Sequence, residues 1–224
     1  MSISFATIVC NGEPSPDSVL IAYTRDSDTV IAVDAGIEQL ANLGITPDVF
    51  VGDMDSVSER IREAVQPPEI IEYPRDKSVS DAEIAVTIAI ERGVQKSLLL
   101  SAAGKRMDHF YSNLAVVSKF PGRALLVDGS LTVFSLGELV RKCTISTEPG
   151  DLLSVFSFGS AVGGLTIRGA KWEVTGRTLY PGSLGLSNTA TGKQVEISIE
   201  TGTMFIFTES RFDQIEFDKT PAAT

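Results

Sequence analysis

The sequence predicts an α/β N-terminal domain, with a mostly parallel sheet flanked by helices, followed by an all-β, sandwich-like C-terminal domain. Three observations carry this expectation. Short apolar runs alternate with amphipathic stretches over roughly the first 135 residues, the rhythm of βαβ units. Those runs are nearly unbroken, as in strands covered on both faces. After Leu136 the segments become short, β-prone and broken by glycine, with no helical period. The expected divisions are 1–137, the α/β domain, 138–209, the β-sandwich domain, and 210–224, a polar tail that frays.

The N-terminal elements follow in order. Residues 6–10 (ATIVC) read as a buried strand ending at Asn11-Gly12, and 16–25 as a helix. Residues 29–33 (TVIAV) form the next strand, ending at Asp34-Ala35-Gly36, and 37–43 a short helix stopped by Gly44. Strand 48–51 leads to a helix over 57–65, strand 70–73 to a helix over 81–92, and strand 97–100 to a helix over 109–119, before a strand at 124–127. In the second domain, 152–156, 165–167, 194–199 and 203–207 are the clearest strand candidates.

Composition excludes several classes. With 29 acidic against 19 basic residues, the net charge is -10, which is wrong for a duplex nucleic-acid binder or an anionic membrane surface. An anionic small ligand remains compatible, because a metal ion supplies local positive charge. Two cysteines and one histidine rule out the usual zinc sites and any disulfide framework. No apolar run reaches membrane-span length and the first ten residues lack a basic leader, so a cytoplasmic protein is expected.

The chemistry concentrates at strand ends, where ligands bind in open α/β sheets. Asp53 and Asp55 lie in Gly52-Asp53-Met54-Asp55-Ser56, and Ser56 with Glu59 forms a capping box for the next helix. Two carboxylates two residues apart can face one Mg²⁺, although an acidic turn capping a helix would look the same. Asp81 follows Ser80 in a second capping box with Glu83, where the helix dipole alone accounts for a carboxylate. The functional alternative makes Asp81 a third metal ligand and Lys77 a phosphate-facing cation. A third strand end carries Ser101 through His109, with Lys105 and Arg106 as cations and Asn113 one turn on. His109 is expected to be a structural or capping residue, and Asp34 with Gly36 marks a fourth end.

In order along the chain, these residues resemble the thiamine pyrophosphokinases. The matching segments are Asn11-Gly12, Asp34-Ala35-Gly36, Pro47-Asp48-x-x-x-Gly52-Asp53-x-Asp55-Ser56, Lys77-x-x-Ser80-Asp81 and Gly104-x-Arg106-x-Asp108-His109-x-x-x-Asn113. Gly169-Ala170-Lys171-Trp172 and Gly182-Ser183-x-x-x-Ser187-Asn188 continue the match into the second domain. The chain departs from the family pattern at Ser78, Ser80, Ser101, Lys105 and Gly185.

The resemblance implies diphosphate transfer from ATP to the hydroxyl of thiamine, in a homodimer with active sites at the subunit interface. It implies Asp53, Asp55 and Asp81 as Mg²⁺ ligands, and Asp34, Lys77, Arg106 and Asn113 around the nucleotide. Asp108 would orient Arg106 or touch the substrate, and Ser187 and Asn188, expected to be exposed in a Gly-rich turn, would contact the acceptor. Trp172, the only tryptophan, is weighed as a core residue against a face of the thiamine pocket. Two other classes compete: a phosphohydrolase with Asp53 as nucleophile, and a binding protein without catalysis.

Overall fold

The computed structural model describes residues 3–53, 57–58, 60–61, 65–72 and 78–218. They form two compact units, one running to Val116 and including Leu126–Gly129, the other comprising Val117–Leu125 and the residues from Ser130 onward.

In the first unit, strands β1 (Phe5–Val9), β2 (Thr29–Val33), β3 (Val49–Val51) and β4 (Glu69–Ile71) run parallel, as does β5 (Lys96–Leu100) beside β1. With β6 (Ala124–Asp128) the order is β6-β5-β1-β2-β3-β4. Every residue of β1, β3 and β5 is buried, as expected for apolar strands between helical layers.

Helices α1 (Asp17–Asp26), α2 (Gly36–Asn42), α3 (Asp81–Glu91) and α4 (Met107–Lys119) alternate with these strands. Helix α3 packs over β1, β2 and β5 through buried Ala82, Ile84, Ala85, Val86 and Ala89. Burying each of its larger aliphatic side chains contributes about 1.5–3 kcal/mol. Of the helix expected at 57–65, residues 59 and 62–64 lie outside the described residues. Its described members Val57, Ile61 and Val65, four apart, are all buried, and Val65 N–H donates to Ile61 O at 2.8 Å.

The second unit holds two antiparallel layers. One orders β12 (Asn188–Thr189), β9 (Leu152–Ser157), β14 (Met204–Thr208) and β7 (Leu131–Leu136). The other orders β11 (Val174–Leu179), β10 (Val162–Arg168), β13 (Gln194–Ser198), β8 (Lys142–Ser146) and β15 (Ile215–Asp218). Phe134 of β7 and Phe217 of β15 meet edge to face across the layers, with ring centroids 5.3 Å apart.

Two sequence expectations need correction here. The chain does not fray from Ser210: Phe212 and Ile215 are buried, and β15 pairs with β8 as far as Asp218. Residues 219–224 lie outside the described set. The division also does not follow residue 137; it falls within α4 and β6. The reason is β7, which pairs antiparallel with β14 and whose Ser135 hydroxyl donates to Val117 O at 2.8 Å.

Candidate functional site at the switch point

The chain leaves β1 through α1 toward β2, on one side of the sheet centre. It leaves β5 through α4 toward β6, on the other side. Adjacent strands whose connections diverge open a crevice at their carboxyl ends. A cleft of about 500 Å³ lies there, lined by residues after β1 (Cys10 to Gly12), after β5 (Ala102, Gly104 to Arg106), by Asp34 after β2, and by the start of α3 and α4.

Backbone hydrogen bonds bind the two loops at the switch. Gly12 N–H donates to Ser101 O at 2.6 Å, and Glu13 N–H to Ala103 O at 2.7 Å. A buried polar network lies beneath them. The Ser101 hydroxyl donates to Gln39 Oε1 at 2.7 Å and accepts from Ser15 N–H at 3.0 Å, while Gln39 Nε2 donates to Cys10 O at 3.0 Å. Asn113 Nδ2 donates to Ala102 O at 2.7 Å from its buried place on α4. The floor of the cleft is thereby tied to α2 and α4 as well as to both strands. Ser15 and Gln39 are missed by sequence reasoning, because no local pattern marks a residue whose partner lies 62 or 86 positions away.

Among the expected acidic residues, Asp34 and Asp81 both line the cleft and are half-buried. Asp34 has a φ of +49° and lies against Gly52, where a Cβ would collide with its Oδ1; Gly52, at φ +145°, is therefore confined to glycine. Asp53 follows at once and is half-buried. Asp55 and Lys77 lie outside the described residues, as do Ser56 and Glu59 of the first expected capping box. At the second box, the Ser80 hydroxyl accepts from Glu83 N–H at 3.2 Å, so the cap of α3 does not require Asp81.

No group of three or more His, Cys, Asp or Glu side chains that could hold a metal ion occurs among the described residues. The donor set nevertheless suits Mg²⁺, a hard cation that takes one or two carboxylates and completes its shell with phosphate oxygens and water.

On the basic side, Arg106 is joined to Asp108 by both arms of its guanidinium. That contact holds the Asp108 carboxyl down at about 2, while the hydrogen bonds to Asp108, with its charge added, raise Arg106. His109, in the first turn of α4, is exposed and lines the cleft. Cys10, buried, lines the same cleft, and burial, with the charge of Asp34 added, pushes its thiol up to about 12.

The second unit has its own cavity of about 360 Å³, lined by Val155, Leu165, Trp172, Leu184, Gly185 and Asn188 among others. Trp172 is not a core residue: it is 55% exposed, with Lys171 Nζ 4.6 Å from its ring centroid. The expectation of an exposed Asn188 is also corrected. Asn188 is buried, accepting from Trp172 N–H at 3.0 Å and donating to Trp172 O at 3.0 Å. Ser187 is exposed at φ +62° and its N–H donates to the Ser154 hydroxyl at 2.9 Å. Gly185, at φ +109°, sits so close to the Val155 carbonyl that a side chain there would collide with it.

A switch-point cleft lined by carboxylates and cations, and a β-sandwich with its own apolar, tryptophan-lined cavity, define a two-domain protein with an α/β unit and an all-β unit. Residues 20–125 match the family described as "Thiamin pyrophosphokinase, catalytic domain", and residues 142–204 that described as "Thiamin pyrophosphokinase, vitamin B1 binding domain". The chain belongs to the thiamine pyrophosphokinase family.

Two curated relatives agree. A thiamine pyrophosphokinase of Bacillus subtilis is 30% identical over 114 residues, covering 50% of this chain and 53% of the relative. Thiamine pyrophosphokinase 1 of Oryza sativa subsp. japonica is 26% identical over 168 residues, 69% of this chain and 63% of the relative. The aligned segments thus span between half and two thirds of these relatives. In fold, the crystal structure of thiamine pyrophosphokinase from Bacillus subtilis superposes with a TM-score of 0.79 at 23% identity, covering 93% of this chain and 100% of that one. The yeast enzyme's structure gives 0.73 at 15% identity, covering 96% and 88%.

Proposed function

We propose that the protein is a thiamine diphosphokinase, transferring a diphosphate from ATP to the hydroxyl of thiamine to give thiamine diphosphate and AMP. The observation that carries this reading is the switch-point cleft, which Asp34 and Asp81 line together with Lys105 and Arg106. The family match supports it over a phosphohydrolase or a binding protein without catalysis.

In this reaction the acceptor hydroxyl oxygen forms a bond to the β-phosphorus of ATP. The bond from that phosphorus to the α,β-bridging oxygen breaks, and AMP leaves with the oxygen. The hydroxyl proton passes to a carboxylate of the cleft. Positioning and charge neutralisation do most of the work, by analogy with γ-phosphoryl transfer. Asp53, Asp55 and Asp81 would hold Mg²⁺, and Asp34 would face the nucleotide. When bound, the ion offsets the charge of the triphosphate.

Arg106 and Lys77 contact phosphate, and Asp108 orients Arg106. Asn113 acts through the Ala102 carbonyl, keeping the β5 loop in place for the nucleotide. The apolar cavity beside Trp172 receives the flat heterocycles of thiamine, with Ser187 as a polar contact and Asn188 as the group that holds Trp172.

The working unit is a homodimer with its active sites at the subunit interface. Trp172, Tyr180, Leu184 and Leu186 form exposed apolar surface in the second unit, of the kind that a partner subunit covers. The cytoplasm is the working location: ATP is supplied there, and both cysteines are free thiols. No helix among the described residues is long and apolar enough to cross a membrane.

The reading is tested by incubating the protein with ATP, Mg²⁺ and a panel of hydroxylated heterocycles that includes thiamine. AMP formation that requires thiamine supports it. AMP formed equally without any acceptor contradicts it.

A further inference from the structure

Four residues other than glycine have a positive φ among the described residues: Asp34 at +49°, Ser101 at +51°, Lys105 at +46° and Ser187 at +62°. The first three surround the switch-point cleft. Such a conformation costs an L-residue what it does not cost glycine, so each instance calls for something that the side chain does in return. For Ser101 the return is visible in its bonds to Ser15 and Gln39. For Asp34 it is a carboxylate on the rim of the cleft, against Gly52.

Lys105 has no such internal account. It is exposed, lines the cleft, and makes no hydrogen bond or ion pair among the described residues. It follows Gly104, itself at φ +71°, so the turn is already left-handed before the lysine is reached. A glycine would take this backbone more easily, and a charged side chain is what the lysine adds. Its neighbour Arg106, the other cation of the loop, is engaged by Asp108.

We infer that Lys105 is a binding residue for the phosphates of the nucleoside triphosphate in this cleft, supplying a mobile positive charge beside the aspartate-locked Arg106. The inference rests on the reading of the cleft as a nucleotide site. An ammonium on a flexible stem suits this task, because it meets phosphate oxygens as a point charge with rotatable donors. Arg106, fixed by its carboxylate partner, offers a set direction instead. The two cations thus divide the work between reach and orientation.

Three variants separate charge from backbone. Lys105→Met keeps the left-handed cost and removes the charge, Lys105→Gly removes both, and Lys105→Arg keeps both. The dissociation constant for Mg²⁺·ATP is measured by calorimetry, alongside KM for ATP, KM for the acceptor, and Tm.

The expected result is ATP binding weakened about tenfold or more in the Met and Gly variants, as for a lost charge-assisted hydrogen bond. Their residual binding depends less on ionic strength than that of the unaltered protein. The Arg variant stays within about threefold, and the acceptor constant is unchanged throughout. The Gly variant melts higher than the unaltered protein while binding ATP worse, a combination that a purely structural lysine does not produce.

Unchanged ATP binding in the Met and Gly variants overturns the inference, as does a change confined to the acceptor. If the unaltered protein binds Mg²⁺·ATP but transfers no diphosphate, the reading of the reaction fails while calorimetry still decides the role of Lys105.

Discussion

Asp108 receives both arms of the Arg106 guanidinium, Nε at 3.1 Å and Nη2 at 2.5 Å, across a gap of one residue at the start of α4. Both side chains are exposed, so the pair does little for the stability of the fold. Its consequence is directional: the arginine is held in one orientation at the rim of the cleft. The carboxyl is also kept ionised well below its ordinary range, at about 2 instead of 3.8.

The sign of the resulting pH dependence follows from that depression. What the pair contributes is present above the ordinary carboxylate value and is lost as pH falls through about 2. The Asp108 carboxyl should therefore titrate near 2 by NMR, and Arg106→Gln should return it toward the ordinary carboxylate value. A normal titration in the unaltered protein would show that the pair does not persist in solution.

Asp53→Asn and Asp81→Asn should each lower turnover by at least about a hundredfold, the range for a lost electrostatic stabiliser, with Tm almost unchanged. For Asp81 the reason is that Ser80 caps α3 through Glu83 N–H, and for Asp53 that it follows β3 outside any helix or strand. Thermal unfolding and steady-state rates decide this together. A large fall in Tm with substantial activity left would make the carboxylates structural.

Ser101→Ala should destabilise the protein by about 1–3 kcal/mol in urea unfolding, because it leaves buried groups of Ser15 and Gln39 without their partner. Ser101→Gly should cost less, since glycine relieves the φ of +51°. If the two variants are equally stable, backbone strain at this position is negligible.

In the second unit, Asn188→Ala should raise KM for the acceptor more than Ser187→Ala does, with KM for ATP unchanged in both. Asn188 bonds both the N–H and the carbonyl of Trp172. The same substitution should alter the fluorescence of that single tryptophan, which is half in solvent. Equal effects of the two variants, or a parallel change in the ATP constant, would detach Trp172 from acceptor binding.

The first unit was the more legible part of the sequence. Strands β1, β3 and β5 are fully buried and so read as apolar runs, and the runs of this unit end abruptly in polar residues such as Asn11, Asp34, Asp53 and Ser101. The second unit hid its strands. β11 is largely exposed and carries Gly176 and Arg177, so neither alternation nor apolar content marks it. The last strand reads as tail in the sequence because its anchors, Phe212, Ile215 and Phe217, are spaced among charges. Trp172 and Asn188 exchanged their expected environments for a related reason: exposure depends on partners 16 positions away, which local pattern does not contain.

Diphosphate transfer is tested most directly by following ATP, Mg²⁺ and thiamine with the protein by ³¹P NMR. The expected result is AMP and thiamine diphosphate appearing in equal amounts, with no ADP, and neither product forming when thiamine is omitted. ADP with a monophosphorylated acceptor, or phosphate released from ATP without any acceptor product, would contradict the assignment.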